Sequence, residues 1–164
     1  MNAAALLQEL EAKGFKLAIA ESVTGGLLAA EFVSVPGASK VLLGSIVAYQ
    51  TSLKHELLGV SRNLLENQGP VDPEVAAQMA AGVRTKLANK TNTDEQLVIG
   101  VATTGVAGPE TQAGVAVGTV YVAISGPGLI GDSVYAHSFE GGRDAIRTAS
   151  VSVAIDAIGE CLGL

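Results

Sequence analysis

The stretch from Phe15 to Val33 constrains this chain more than any other. Phe15-Lys16-Leu17-Ala18-Ile19-Ala20 is a mostly apolar run of strand length, and Leu27-Leu28-Ala29-Ala30-Glu31-Phe32-Val33 has helical character. Between them lies the polar, glycine-containing segment Glu21-Ser22-Val23-Thr24-Gly25-Gly26. A buried strand that turns directly into a helix is the opening of an α/β fold. Such a junction leaves several backbone N–H groups free to receive an anion or a developing oxyanion. Ser22 is therefore a candidate nucleophile and Thr24 a cap or ligand contact. The same residues also read as ordinary helix capping, with the glycines making the turn.

The rest of the chain supports that architecture. Ala4, Leu7 and Leu10 mark an N-terminal helix closed by Gly14. After the turn Pro36-Gly37-Ala38-Ser39, Val41 to Tyr49 reads as a second strand. Thr51–Leu58 and Ser61–Asn67 read as short helices, and Gly69-Pro70-Val71-Asp72-Pro73 leads into a long helix over Glu74–Asn89. A polar loop is expected over Asn89–Glu95. Strands follow at Gln96–Thr103, Gly118–Ser125 and Leu129–Phe139, the last two joined by Gly126-Pro127-Gly128 as an antiparallel pair. Gly141-Gly142-Arg143-Asp144 opens a final helix over Ala145–Cys161. The expected fold is one domain with three α/β/α layers and a mixed sheet.

Composition narrows the function. With 164 residues, 48% of them hydrophobic, 20 glycines and no Trp, the chain builds its core from small aliphatic side chains. A net charge of −6 without a Lys/Arg run argues against nucleic acid as a partner. An anionic ligand must then be held by local donors. The lone Cys161 excludes an internal disulfide and a Cys-rich metal site. No signal-type N-terminus or membrane-length apolar run is present, so a cytoplasmic protein with no membrane partner is expected.

Parallel strands would bring the ends of three loops to one crevice: Ser22, then Tyr49 with Lys54, then Thr104-Gly105. A serine needs a base. His55 sits beside Lys54 on a short helix and His137 falls inside a strand, positions that suit surface or packing roles. A lysine serves instead when desolvation makes its neutral form accessible. Lys54 fits by position, and it also reads as an exposed helical lysine.

In order along the chain, Ala20-Glu21-Ser22-Val23-Thr24-Gly25-Gly26, Val35-Pro36-Gly37-Ala38-Ser39, Tyr49, Lys54, Leu58-Gly59-Val60, Thr104-Gly105-Val106-Ala107-Gly108-Pro109, Val117-Gly118-Thr119-Val120 and Gly142-Arg143 with Ile146-Arg147 resemble the CinA C-terminal domain family. The resemblance covers nearly the whole chain. It implies nicotinamide-nucleotide amidase activity, the hydrolysis of nicotinamide mononucleotide to nicotinic acid mononucleotide and ammonia in pyridine nucleotide salvage. It also implies a stand-alone form, without the molybdopterin-binding-like domain of two-domain relatives.

By that resemblance Ser22 attacks the amide carbon, Lys54 moves the proton and Tyr49 bridges or orients the pair. Backbone N–H groups from Val23 to Gly26 would form the oxyanion hole, with Thr24, Gly25 and Gly26 in contact with substrate. Thr104, Gly105 and Gly108 would hold ribose or phosphate, and Arg143 or Arg147 the phosphate dianion. No metal or organic cofactor is called for, and self-association to a homo-oligomer is expected. The chain departs from the family where Val23 replaces a common Cys, and where Glu110 to Ala116 lacks the glycine pair that often follows Gly-Pro. The alternative is a member that binds a nucleotide without turning it over. A nucleic-acid-linked role finds no support in the acidic composition.

Overall fold

Each boundary of the first elements is set by a residue suited to it. Helix α1 (Ala3–Lys13) begins where the Asn2 side chain accepts the Ala5 amide hydrogen and ends at Gly14, whose φ of 77° favours glycine. Strand β1 (Lys16–Glu21) follows, then helix α2 (Leu27–Val33) and a short turn of 3-10 helix at Ala38–Lys40. Strand β2 (Leu42–Val47) leads to α3 (Thr51–Leu58), α4 (Arg62–Gln68) and α5 (Pro73–Thr91). Strands β3 (Val98–Gly105), β4 (Thr119–Ser125) and β5 (Asp132–Ser138) precede α6 (Arg143–Cys161). The computed structural model describes residues 1–164.

The five strands form one sheet in the order β2-β1-β3-β4-β5. Strand β1 pairs in parallel with both β2 and β3, whereas β3–β4 and β4–β5 are antiparallel. The mixed sheet and the α/β class match the sequence expectation. From β1 the chain steps outward to β2 and then returns to β3 on the other side of β1, so the crevice at the ends of β1 and β3 is a topological switch point.

The two faces of the sheet are covered differently. On one, α1, α2 and α6 pack through large side chains, among them Leu17, Ile19, Phe32, Ile99, Val122 and Ile158. On the other, the sheet offers Ala18, Ala20, Ala102 and Ala123 to a helical layer that supplies Leu58, Met79 and Val83. Here the backbones nearly touch. A Cβ on Gly100 would stand 2.2 Å from the Ala80 carbonyl oxygen, and one on Gly82 only 1.9 Å from that of Leu58. These contacts draw α5 onto the sheet and the end of α3 onto α5.

Several boundaries differ from the sequence reading. The loop expected over Asn89–Glu95 is replaced by helix as far as Thr91, because no breaker precedes Asn92, which ends α5 at φ 51°. A second short 3-10 turn occupies Glu95–Leu97. Strand β5 starts at Asp132 rather than Leu129, since the Gly126 amide bonded to Gly131 O and the Ile130 amide bonded to Pro127 O extend the turn. Strand β2 starts after Val41, whose amide closes the preceding 3-10 turn on Ala38 O. No helix is long and apolar enough to cross a membrane.

Candidate active site

Strand alternation decides which residues at the end of β1 face which layer. Ile19 packs with the α2/α6 layer and Ala20 with the α5 layer. Glu21 accordingly turns back toward α2, and Ser22 falls on the side of α3. Ser22 extends the pairing by one residue, its amide donating to Thr103 O at 3.0 Å.

Glu21 is fully buried, and its carboxylate accepts from the amides of Gly26, Leu28 and Ala29 at 2.9, 3.1 and 3.0 Å, and from the Ser45 hydroxyl at 3.1 Å. The side chain thus supplies the cap that α2 lacks at Gly26. Sequence reasoning gave Glu21 no role. The available signal was a carboxylate closing an apolar strand just before a helix whose first residues offer no Ser, Thr, Asp or Asn at the capping position.

Helix α3 carries Lys54 inward. Its side chain is fully buried, and Nζ donates to Ser22 Oγ at 2.8 Å and to Ala48 O at 2.8 Å. No carboxylate pairs with it. Burial without a countercharge pushes the Lys54 ammonium down from its ordinary value to about 8. Ser22 is 8% exposed, so the hydroxyl sits at the floor of a cleft of about 500 Å³. Gly105, Gly108 and Arg143 also line that cleft, as do Pro70 and Val71 on the approach to α5.

Tyr49 lines the cleft but does not bridge the pair. Its hydroxyl accepts from Arg143 Nη2 at 2.9 Å, and Lys54 reaches Ser22 directly. Arg143 also donates from Nη1 to Gly108 O at 2.7 Å, tying the start of α6 to the loop after β3. Both of its acceptors are neutral, and no carboxylate pairs with the guanidinium at the mouth.

Other sequence candidates lie elsewhere. Thr104 is fully buried and donates to Pro70 O at 2.7 Å, which removes its hydroxyl from any ligand. Thr24 is also fully buried, its hydroxyl 2.7 Å from that of Thr103. The Gly26 amide is taken by Glu21, and neither Gly25 nor Gly26 lines the cleft. Their φ values of 58° and 100° explain the glycines as turn residues. Arg147 stays outside the cleft as well, donating to Val23 O at 3.2 Å and Thr24 O at 3.0 Å, with Asp144 3.6 Å away. The amides of Val23, Thr24 and Gly25 make no hydrogen bond within the protein. His55 Nδ1 lies 2.7 Å from Val60 O, and His137 stacks on Phe139 with ring centroids 5.5 Å apart; neither lines the cleft. No three His, Cys, Asp or Glu side chains come together as a metal-holding group.

The fold is thus a mixed α/β sheet that holds a serine hydroxyl against a buried lysine at its switch-point crevice. The chain belongs to the CinA C-terminal domain family, whose sequence model matches residues 2–162. It is 44% identical over 147 residues to a CinA-like protein of Frankia casuarinae, covering 89% of this chain and 31% of that protein. It is 42% identical over 142 residues to a putative competence-damage inducible protein of Desulforamulus reducens, covering 87% and 32%. The chain therefore spans about a third of the length of these curated relatives. Among solved structures, the competence/damage inducible protein CihA from Agrobacterium tumefaciens superposes with a TM-score of 0.86 at 29% identity, covering 97% of this chain and 92% of that one.

Proposed function

We propose that this domain is an amidohydrolase that releases ammonia from the carboxamide of nicotinamide mononucleotide or a related pyridine nucleotide. The observation that carries the reading is the 2.8 Å contact between Ser22 Oγ and a buried Lys54 whose ammonium is destabilised to about 8. Near neutral pH a fraction of Lys54 is unprotonated, and such an amine can take the Ser22 proton as Oγ attacks the carboxamide carbon. The free amide of Val23, which lines the cleft beside Ser22, offers a donor for the oxyanion. Collapse of the tetrahedral adduct breaks the C–N bond, with Lys54 returning the proton to the departing ammonia. Water then adds to the acyl carbon while Lys54 accepts its proton, and the ester bond breaks to give the carboxylate and restore Ser22.

Charge in the cleft fits the same substrate class. Arg143 offers a cation for a phosphate, and Glu110 lines the same cleft. A pyridine nucleotide carries complementary charges, a phosphate dianion and a cationic ring. Family membership supports the reading, while the names of the relatives specify no reaction. The test is ammonia release from nicotinamide mononucleotide by the purified protein and by Ser22→Ala. Turnover by the parent and none by the variant is expected; binding without ammonia release by the parent would point to a nucleotide-binding module instead.

A further inference from the structure

One guanidinium ties together two segments that line the cleft. Arg143, in the first turn of α6, donates from Nη1 to Gly108 O at 2.7 Å and from Nη2 to the Tyr49 hydroxyl at 2.9 Å. Gly108 belongs to the loop after β3 and Tyr49 follows β2, and all three residues line the cleft. Both acceptors are held in place. The Ala48 amide donates to Glu21 O and the Ala48 carbonyl accepts from Lys54, which fixes the chain immediately before Tyr49. Gly108 has a φ of 81°, and a Cβ there would stand 2.7 Å from Val117 Cγ1, so its loop lies tight against Val117. The Tyr49 hydroxyl meets Arg143 and makes no hydrogen bond to Ser22 or Lys54.

A guanidinium carries five N–H donors in a planar fork, of which two are engaged here on neutral oxygens and three remain to meet an anion. An untethered arginine must give up rotamer freedom when it binds a ligand, whereas one whose plane is already set gives up little. We infer that Tyr49 is a positioning residue that sets the plane of Arg143 for the phosphate of the substrate. The inference rests on the amidase reading for its substrate but not for its geometry. It moves the Tyr49 hydroxyl from the reacting centre, where the family resemblance puts it, to recognition of the nucleotide. Tyr49 is 60% exposed and supports no core, so removing its hydroxyl tests this contact and little else.

The readout is preference, kcat/KM for nicotinamide mononucleotide divided by kcat/KM for its nucleoside, which lacks the phosphate. Tyr49→Phe should lower the preference about fivefold, the scale of one hydrogen bond, through a higher KM for the nucleotide. Arg143→Ala should lower it about 30-fold, the scale of a lost charge-assisted contact. In the Arg143→Ala background, Tyr49→Phe should change the preference by less than about twofold, because the hydroxyl then has nothing to position. A loss as large in that background as in the parent, or an unchanged preference in Tyr49→Phe alone, overturns the inference. So does a fall in kcat shared by both substrates, which would place the hydroxyl at the Ser22–Lys54 pair. Equilibrium binding of the same two ligands, measured by calorimetry, separates the inference from the amidase reading. If the parent releases no ammonia yet binds the nucleotide more tightly, and Tyr49→Phe narrows that difference only while Arg143 is present, the amidase reading falls and the positioning role stands. Equal affinity of the parent for the two ligands, or binding of neither, overturns the positioning role whether or not ammonia is released.

Discussion

The two faces of the sheet each bury one charge next to Ser22, and they treat it in opposite ways. On the α2 side Glu21 is saturated: three backbone amides and the Ser45 hydroxyl converge on its carboxylate. On the α3 side Lys54 meets only the Ser22 hydroxyl and the Ala48 carbonyl, with no carboxylate. A buried charge surrounded by oriented donors is architecture. One left short of compensation is a group ready to give up its proton. The packing beneath each charge differs in the same sense. Large aliphatic side chains support Glu21 and α2, whereas Ala-on-sheet and Gly-on-carbonyl contacts bring α5 and α3 close enough to seal Lys54 from water.

The most severe way to break the contrast is to make the charge carried by Lys54 permanent. Lys54→Arg keeps a positive charge that cannot be surrendered in this pH range. Ammonia release by this variant should drop at least about 10³-fold in kcat/KM, on the scale of losing a general base together with its geometry. In the parent, kcat/KM should rise with pH through about 8 and level off, since the unprotonated amine is the active form. Near-parental turnover by the arginine variant, or a flat profile between pH 6 and pH 9, both chosen to bracket about 8, would place the base elsewhere.

Much of this contrast is written in the residue order. The apolar run ending at Ala20, the glycine pair and the alternating helices identify the α/β class and locate the Ser22 turn. Parallel strands bring Ser22 and Lys54 to one crevice as candidates, and the family resemblance is what joins them as a pair. What local pattern cannot convey is which donors are already engaged. Gly25 and Gly26 look like an anion cradle until the Glu21 carboxylate is seen occupying the helix start. Thr104 looks like a ligand contact until its hydroxyl is found on Pro70 O, a residue 34 positions away. Tyr49 lines the cleft and Arg147 lies outside it, and their partners come from α6 and from the turn, contacts that span most of the chain. Such long-range pairings follow from layer packing and leave no periodic trace.

Neutralising each buried charge should shift stability in opposite directions. Glu21→Gln replaces one carboxylate oxygen by an NH2 group; with its oxygen kept on the Gly26 and Leu28 amides, the NH2 faces the Ala29 amide and the Ser45 hydroxyl, so it should destabilise the fold by about 3 kcal/mol in denaturant titration. Lys54→Met should stabilise it at pH 7 by up to about 3 kcal/mol, because the ammonium loses hydration on folding. The sign follows from proton counts. Below about 8 both states hold the proton and the full penalty stands. Between about 8 and 10.5 the folded parent is neutral while the unfolded chain is still protonated, so parental stability rises with pH. Above that range the advantage of Lys54→Met should vanish. A variant equally stabilised at pH 7 and pH 11, on either side of the ordinary lysine value of about 10.4, would mean that packing and not charge explains the gain.

The smallest effects come from the packing that lies under the two charges, and neighbouring residues of β3 sample both faces. Gly100→Ala adds a Cβ 2.2 Å from Ala80 O and 2.8 Å from Arg84 Cβ, a contact with helix backbone that only a displacement of α5 relieves. It should cost about 1–3 kcal/mol, as overpacking does. Because α5 supports the end of α3, it should also reduce kcat/KM. Ile99→Val removes one methylene from the opposite, large-side-chain face and should cost about 1 kcal/mol. That face holds α2 and α6 through many large contacts, so losing one methylene should leave the Ser22–Lys54 distance unchanged and kcat/KM near the parental value. If Ile99→Val impaired turnover as much as Gly100→Ala, Lys54 burial would depend equally on both faces, and the division between a structural side and a reactive side would fail.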